Sequence, residues 1–160
     1  GFTKCAIYGL ANPASGAQTV QINFSGTLSH GSYTVSVTVT GGDTTTVFSN
    51  SAKTSGTSAT PSLDVISATN ELVVDLCNLA SPEPPFSAGA GQTERVNTTY
   101  QGGARGIAAS TEAGAATVTM SWSGGSSQDF VMAGASFKEA GAAGGVPVKP
   151  QGLLLMGAGV

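Results

Sequence analysis

Residues 115–138 carry two strand-like runs, 116–122 and 129–137, joined by a Ser-Gly-Gly-Ser-Ser turn. In the first, Val118, Met120 and Trp122 alternate with Thr117, Thr119 and Ser121, the period of two that marks a strand with one buried face. The second is apolar on both faces, as in a strand covered on both sides, and its small residues at 133–136 leave room for a bulky neighbour. Together they predict a hairpin at the centre of the core, built on Val118, Met120, Trp122, Phe130 and Phe137.

The pattern repeats along the chain. A strand over 4–10 is stopped by Asn12-Pro13. Val20, Ile22 and Phe24 then alternate with Gln21, Asn23 and Ser25, which predicts a half-exposed strand. Residues 33–40 alternate Tyr33, Val35, Val37 and Val39 with hydroxyl residues, and Phe24 and Tyr33 both read as core. Residues 44–60, rich in Thr and Ser, predict a long loop with a weak edge strand at 52–54. A strand over 62–67 offers Leu63, Val65 and Ile66 to the core. Residues 71–79 are apolar almost throughout, interrupted by Asp75, and predict a central strand. The prolines at 82, 84 and 85 mark an exposed loop, and shorter strands follow at 92–99 and 107–110. Short strands with turn signals between them, and no helical periodicity, predict an all-β chain folded as a single antiparallel β-sandwich over residues 1–139.

Beyond Glu139 the character changes. Residues 140–145 have the composition of a flexible linker, and Pro147 and Pro150 stiffen the segment that follows. The chain then ends in an apolar octet containing Leu153, Leu154, Leu155, Met156 and Val160. Residues 140–160 therefore read as an extended C-terminal arm, whose twelve-residue connection (140–151) reaches up to ~40 Å. That reach permits folding back on its own domain or crossing to a neighbouring subunit, and the prolines favour the neighbour.

Composition narrows the setting. Charged residues are 9% of the chain, against roughly 25% in ordinary soluble domains. Gly, Ser and Thr exceed a third of it, so hydroxyls rather than charges coat the surface, as in secreted, cell-surface and virion proteins. A net charge of -3 with six Lys and Arg provides no basic patch for nucleic acid. No run approaches the ~20 apolar residues needed to cross a bilayer. The chain opens in a strand-like segment without a signal peptide, as expected of a processed or internal piece. Cys5 and Cys77 each lie in an apolar strand, either as buried free thiols or as a disulfide pair.

Candidate chemistry is sparse. His30, the one histidine, sits at a turn, where an inert side chain is the ordinary case, and no catalytic residues are assigned. Asp75, Glu94, Glu112 and Asp129 are the carboxylates nearest strand ends and the candidates for a glycosidase pair, though solvated carboxylates are the expected outcome. No cofactor is implied, and for a metal only Asp43, after two glycines, is a candidate calcium ligand. Tyr100 and Phe86, both placed in loops, are the aromatics left over for stacking on a glycan.

Four strings carry a resemblance: residues 7–16 with 20–24, Thr-Pro-Ser-Leu-Asp-Val at 60–65, Gly-Ala-Gly-Gln-Thr-Glu-Arg at 89–95, and Thr-Val-Thr-Met-Ser-Trp at 117–122. In this order the chain resembles, over residues 5–137, a Gly/Ser/Thr-rich β-sandwich module of bacteriophage virion proteins and bacterial surface proteins. The resemblance implies a jelly-roll-like or lectin-like sandwich without an established catalytic site. Such modules usually begin with extra strands, one of them apolar, of the type Leu-Leu-Val-Val-Gly-Val. That strand is missing from the start of this chain, and the C-terminal octet looks like it; a likeness of this tail to bacterial sorting signals is fainter. The expected protein is a non-enzymatic structural subunit, extracellular, on a virion or on a cell surface. Its partners are then copies of itself or other structural proteins, with a carbohydrate-binding adhesion module as the alternative.

Overall fold

The computed structural model describes residues 3–26, 32–80, 86–100, 103, 105–140, 149–150 and 154–159. The described residues form strands and no helix. The strands are β1 (Thr3–Ile7), β2 (Ser32–Ser36), β3 (Val39–Thr40), β4 (Phe48–Ser58), β5 (Ser62–Ile66), β6 (Leu72–Ala80) and β7 (Ser87–Ala88). They continue with β8 (Thr93–Tyr100), β9 (Arg105–Ala113), β10 (Thr117–Ser123), β11 (Gln128–Phe137), β12 (Lys149–Pro150) and β13 (Leu154–Gly159). All pairings are antiparallel, and the architecture is a β-sandwich.

A five-stranded sheet ordered β4-β11-β6-β9-β8 carries the core. Its middle strand, β6, is buried from Leu72 to Leu79, because both faces are covered. Toward one face, Val73, Cys77 and Leu79 of β6 meet Leu63 and Val65 of β5 and Val118, Met120 and Trp122 of β10. Toward the other, Leu72, Val74 and Leu76 pack with Ile107 and Ala109 beneath Cys5, Ile7, Val35, Val37 and Val39. The nearly unbroken apolar run at 71–79 thus has the physical cause expected for it.

The hairpin predicted at 116–137 does not form. β10 pairs with β5 and β7 in one layer, and β11 pairs with β4 and β6 in the other. Gly124 to Ser127 carry the chain across the sandwich, with Gly125 at φ 75° and the Gly124 amide donating to the Ala59 carbonyl. Burial explains the separation. A strand with one apolar face belongs to an outer layer, whereas β11, covered on both sides, needs doubly covered neighbours. Within the predicted core, Val118, Met120 and Trp122 are buried, while Phe130 and Phe137 are half-buried and pack on opposite faces of the sheet.

Other expectations are corrected. Residues 18–25 alternate like a strand but belong to no ladder, and Phe24 and Tyr33 are exposed rather than core. Ile66 also points outward. The predicted loop at 44–60 contains β4, an eleven-residue edge strand whose Ala52 and Phe48 alone supply apolar contacts; its Ser and Thr residues otherwise face solvent and disguise it.

β11 passes close under β5. A Cβ added at Gly134 would lie 2.6 Å from Val65 Cγ2 and 3.1 Å from Leu63 Cδ2. Gly134→Ala is therefore expected to lower stability by about 1–3 kcal/mol through overpacking, measured by denaturant unfolding. An unchanged or raised midpoint would show that the layers separate freely.

Candidate functional site

The feature that ties the two ends of the chain together is the outer sheet ordered β1-β13-β2. β13 lies between strands that are otherwise unpaired with each other. Cys5, Ala6 and Ile7 oppose Gly157, Met156 and Leu155, and Leu154, Leu155 and Met156 oppose Ser36, Val35 and Thr34. Lys149 and Pro150 pair with Thr40 and Val39 just before it. Of the arm residues singled out in the sequence, Leu154, Leu155 and Met156 fall in this ladder, while Leu153, Val160 and the linker 141–148 lie outside the described residues. In the single chain the ladder forms in cis, whereas the sequence favours a neighbour.

Beneath the opposite layer lies a polar cluster the sequence did not disclose. Asp75, wholly buried in β6, accepts hydrogen bonds from the Ser110 amide at 2.7 Å and the Ser110 hydroxyl at 2.8 Å on Oδ1. Its Oδ2 accepts from the Trp122 indole at 2.6 Å. Ser110 Oγ in turn accepts from Gln92 Nε2 at 2.6 Å. Gln92 Oε1 takes the amides of Gly89 and Ser121 at 3.1 and 2.8 Å. One carboxylate so joins β6, β9, β10 and the 89–92 turn. Burial pushes its pKa up to about 6, with the bonds from Ser110 and Trp122 pulling the other way. The signal in the sequence was a lone Asp in an apolar run together with a single Trp whose N–H must find an acceptor.

A second carboxylate, Glu71, gathers hydroxyls. Its Oε2 accepts from Ser49, Ser67 and Ser136 and from the Ala68 amide, at 2.6–3.1 Å. Burial works against its charge, but these donors outweigh it and hold the pKa below the ordinary value.

The remaining candidates are scattered. Asp129 accepts from Thr57, Glu94 from Asn97, and Glu112 lies by Gly91 with its pKa raised by burial. Asp75 itself is sealed in the core. Asp43 is a turn cap: Oδ1 accepts the amides of Thr45 and Thr46 and Oδ2 pairs with Lys138 at 3.1 Å, which hold its pKa near about 2. Among the described residues no group of three metal-ligating side chains occurs. Phe86, expected in an exposed loop, is buried in the core. Tyr100, expected in a loop, lies in β8, stacks on Tyr33 with centroids 3.8 Å apart and accepts a hydrogen bond from Asn78, so its ring is engaged. His30 lies outside the described residues.

The cysteines stay apart for a geometric reason. Cys77 points into the layer containing Trp122, whereas Cys5 packs on the opposite face of β6 and donates to the Leu76 carbonyl at 3.4 Å. Both are free thiols, and the disulfide alternative fails. Burial pushes Cys5 up to about 12 and Cys77 well above its usual value, so neither provides a thiolate nucleophile.

Asp75 gives a pH signature. Its folded pKa of about 6 exceeds its ordinary 3.8, so the folded protein holds this proton where the unfolded chain has lost it. Stability from this group is complete below pH 3.8 and is lost as pH rises through 6, by about 2–3 kcal/mol. Asp75→Asn should flatten that slope in urea unfolding between pH 5 and 7, with a residual contribution of the same sign from Glu112. Trp122→Phe removes a donor to a buried charge and is expected to cost about 2–4 kcal/mol while moving the slope to higher pH. A pH-independent unfolding midpoint in the wild type would contradict this account.

Comparison with protein-family models, with curated proteins and with solved structures gives no match to this chain.

Proposed function

We propose that this protein is a non-enzymatic structural subunit of an extracellular or virion assembly, foremost a bacteriophage particle and otherwise a cell-surface layer or filament, joined to its neighbours through residues 149–160. The observation that carries this reading is the placement of β13 between β1 and β2. A strand at the far end of the chain completes a sheet begun at its start, and both of its edges are paired. Such a ladder is specified by backbone hydrogen bonds and register, so a neighbour's residues 149–160 fit the same slot as the chain's own. Exchange of an identical strand is a low-cost route to closed oligomers or filaments.

Two further features agree with it. The solvent faces of β4, β5 and β10 present Ser and Thr, which bond across strands, as in Thr119 to Asp64 and Thr57 to Asp129. Of the candidate carboxylates, Asp75 is committed to the core and Glu94 and Asp129 to local hydrogen bonds. Its partners in this reading are copies of itself or other structural proteins of the same particle or surface.

Deleting residues 146–160 opens the slot between β1 and β2 and bares two strand edges, a hazard for aggregation. The truncated chain should still fold around Trp122, judged by its fluorescence, but self-associate irregularly and fail to assemble with full-length subunits. A synthetic peptide of residues 149–160 should restore solubility. Normal assembly by the truncated chain would overturn the arm-mediated reading.

A further inference from the structure

We propose that the cavity between the extended segment 20–24 and strands β1, β2, β4 and β11 binds an acidic oligosaccharide, a property beyond the proposed assembly role. The cavity is about 1000 Å³, large enough for two or three sugar rings. Three sets of groups meet in it.

The first is aromatic. Among the described residues six large apolar side chains are well exposed, and three of them, Tyr8, Val20 and Phe24, line this one cavity. Segment 20–24 joins no ladder, so its alternating side chains stand as a wall instead of a sheet face. Tyr8 is 62% and Phe24 41% exposed, so both side chains retain surface for contact with a pyranose.

The second is charge. Lys4 and Lys53 both line the cavity, two of only six Lys and Arg in a chain of net charge -3. Among the described residues no carboxylate lines it, and the one ion pair is elsewhere, between Lys138 and Asp43. Lys4 lies on the side of β1 opposite Cys5 and Ile7, and Lys53 on the edge strand β4. Two unpaired ammonium groups in a largely uncharged surface attract an anion, and their flexible stems suit a carboxylate or sulfate on a ring better than a fixed bidentate group.

The third is neutral polarity. Gln21 Nε2 donates to Asn23 Oδ1 at 3.2 Å, an arrangement that leaves the Gln21 carbonyl and the Asn23 amide nitrogen for sugar hydroxyls. Aromatic faces, side-chain amides and paired cations together match a polyhydroxylated ring bearing an acid. A nucleic acid would require far more positive charge than this chain carries.

The test is calorimetric titration of the full chain with tri-galacturonic acid, its neutral galactose trimer and a hexaglutamate peptide. The acidic trisaccharide is expected to bind at least tenfold more tightly than either control, and less tightly as salt is raised. Lys4→Gln with Lys53→Gln should weaken it at least tenfold with the unfolding midpoint unchanged, and Phe24→Leu should weaken it without changing its salt dependence. No binding of the acidic trisaccharide, equal binding of the neutral trimer, or an unaffected double-lysine variant would overturn the proposal. Equal binding of hexaglutamate would also overturn it, by marking a general anion surface.

Discussion

The hydrogen bonds to Asp75 are the constraint on which the sandwich depends. A strand buried on both faces gains apolar contacts on each, but any polar side chain in it must be satisfied from within. Asp75 does so by drawing Trp122 from the layer above and Ser110 from the neighbouring strand. Because an indole N–H and a carboxylate oxygen must meet at 2.6 Å, β10 cannot slide along the central sheet without stranding both groups. Gln92 extends the same restraint to the turn before β8, through the backbone amides of Gly89 and Ser121. Register, layer order and the course of one loop so follow from one buried charge.

Elsewhere the molecule achieves with hydroxyls what more charged proteins achieve with ion pairs. Glu71 is held by three serines from β4, β11 and the turn after β5, so the end of the central sheet is tied by charge-assisted bonds without any lysine or arginine. Thr119 and Thr57 serve Asp64 and Asp129 in the same way. Such bonds are short-ranged and little affected by salt. They also leave the few cations conspicuous, and two of these meet beside exposed aromatic rings.

The outer layer differs in kind from the core. The five-stranded sheet and the β5-β10-β7 layer are locked by side chains, whereas the β1-β13-β2 sheet is joined from the two ends of the chain by backbone pairing. A strand paired along both edges by backbone bonds can be replaced by an identical strand that restores every one of them. The proposed assembly element and the proposed saccharide site share this layer, since the cavity is lined by β1 and by β2 on either side of β13.

The alternation of Val118, Met120 and Trp122, of Leu63 and Val65, and the unbroken run at 71–79 were enough to determine an all-β sandwich and its central strand, because period and burial are local properties of a strand. Which strands pair is not local. β10 and β11 adjoin in sequence yet lie in different layers, since β11 must be covered on both faces and β10 on one. Residues 20–24 have a strand's pattern but gain no partner, and residues 48–58 lack the pattern yet become an edge strand because β11 offers them a ladder. Likewise, Cys5 and Cys77 both read as buried, but their positions on opposite faces of β6 arise only in the folded sheet. Composition determined the class of surface. The meeting of Asp75 with Trp122, 47 residues apart, was decided by tertiary structure, because only the packing of two layers brings a donor to the acceptor that burial requires.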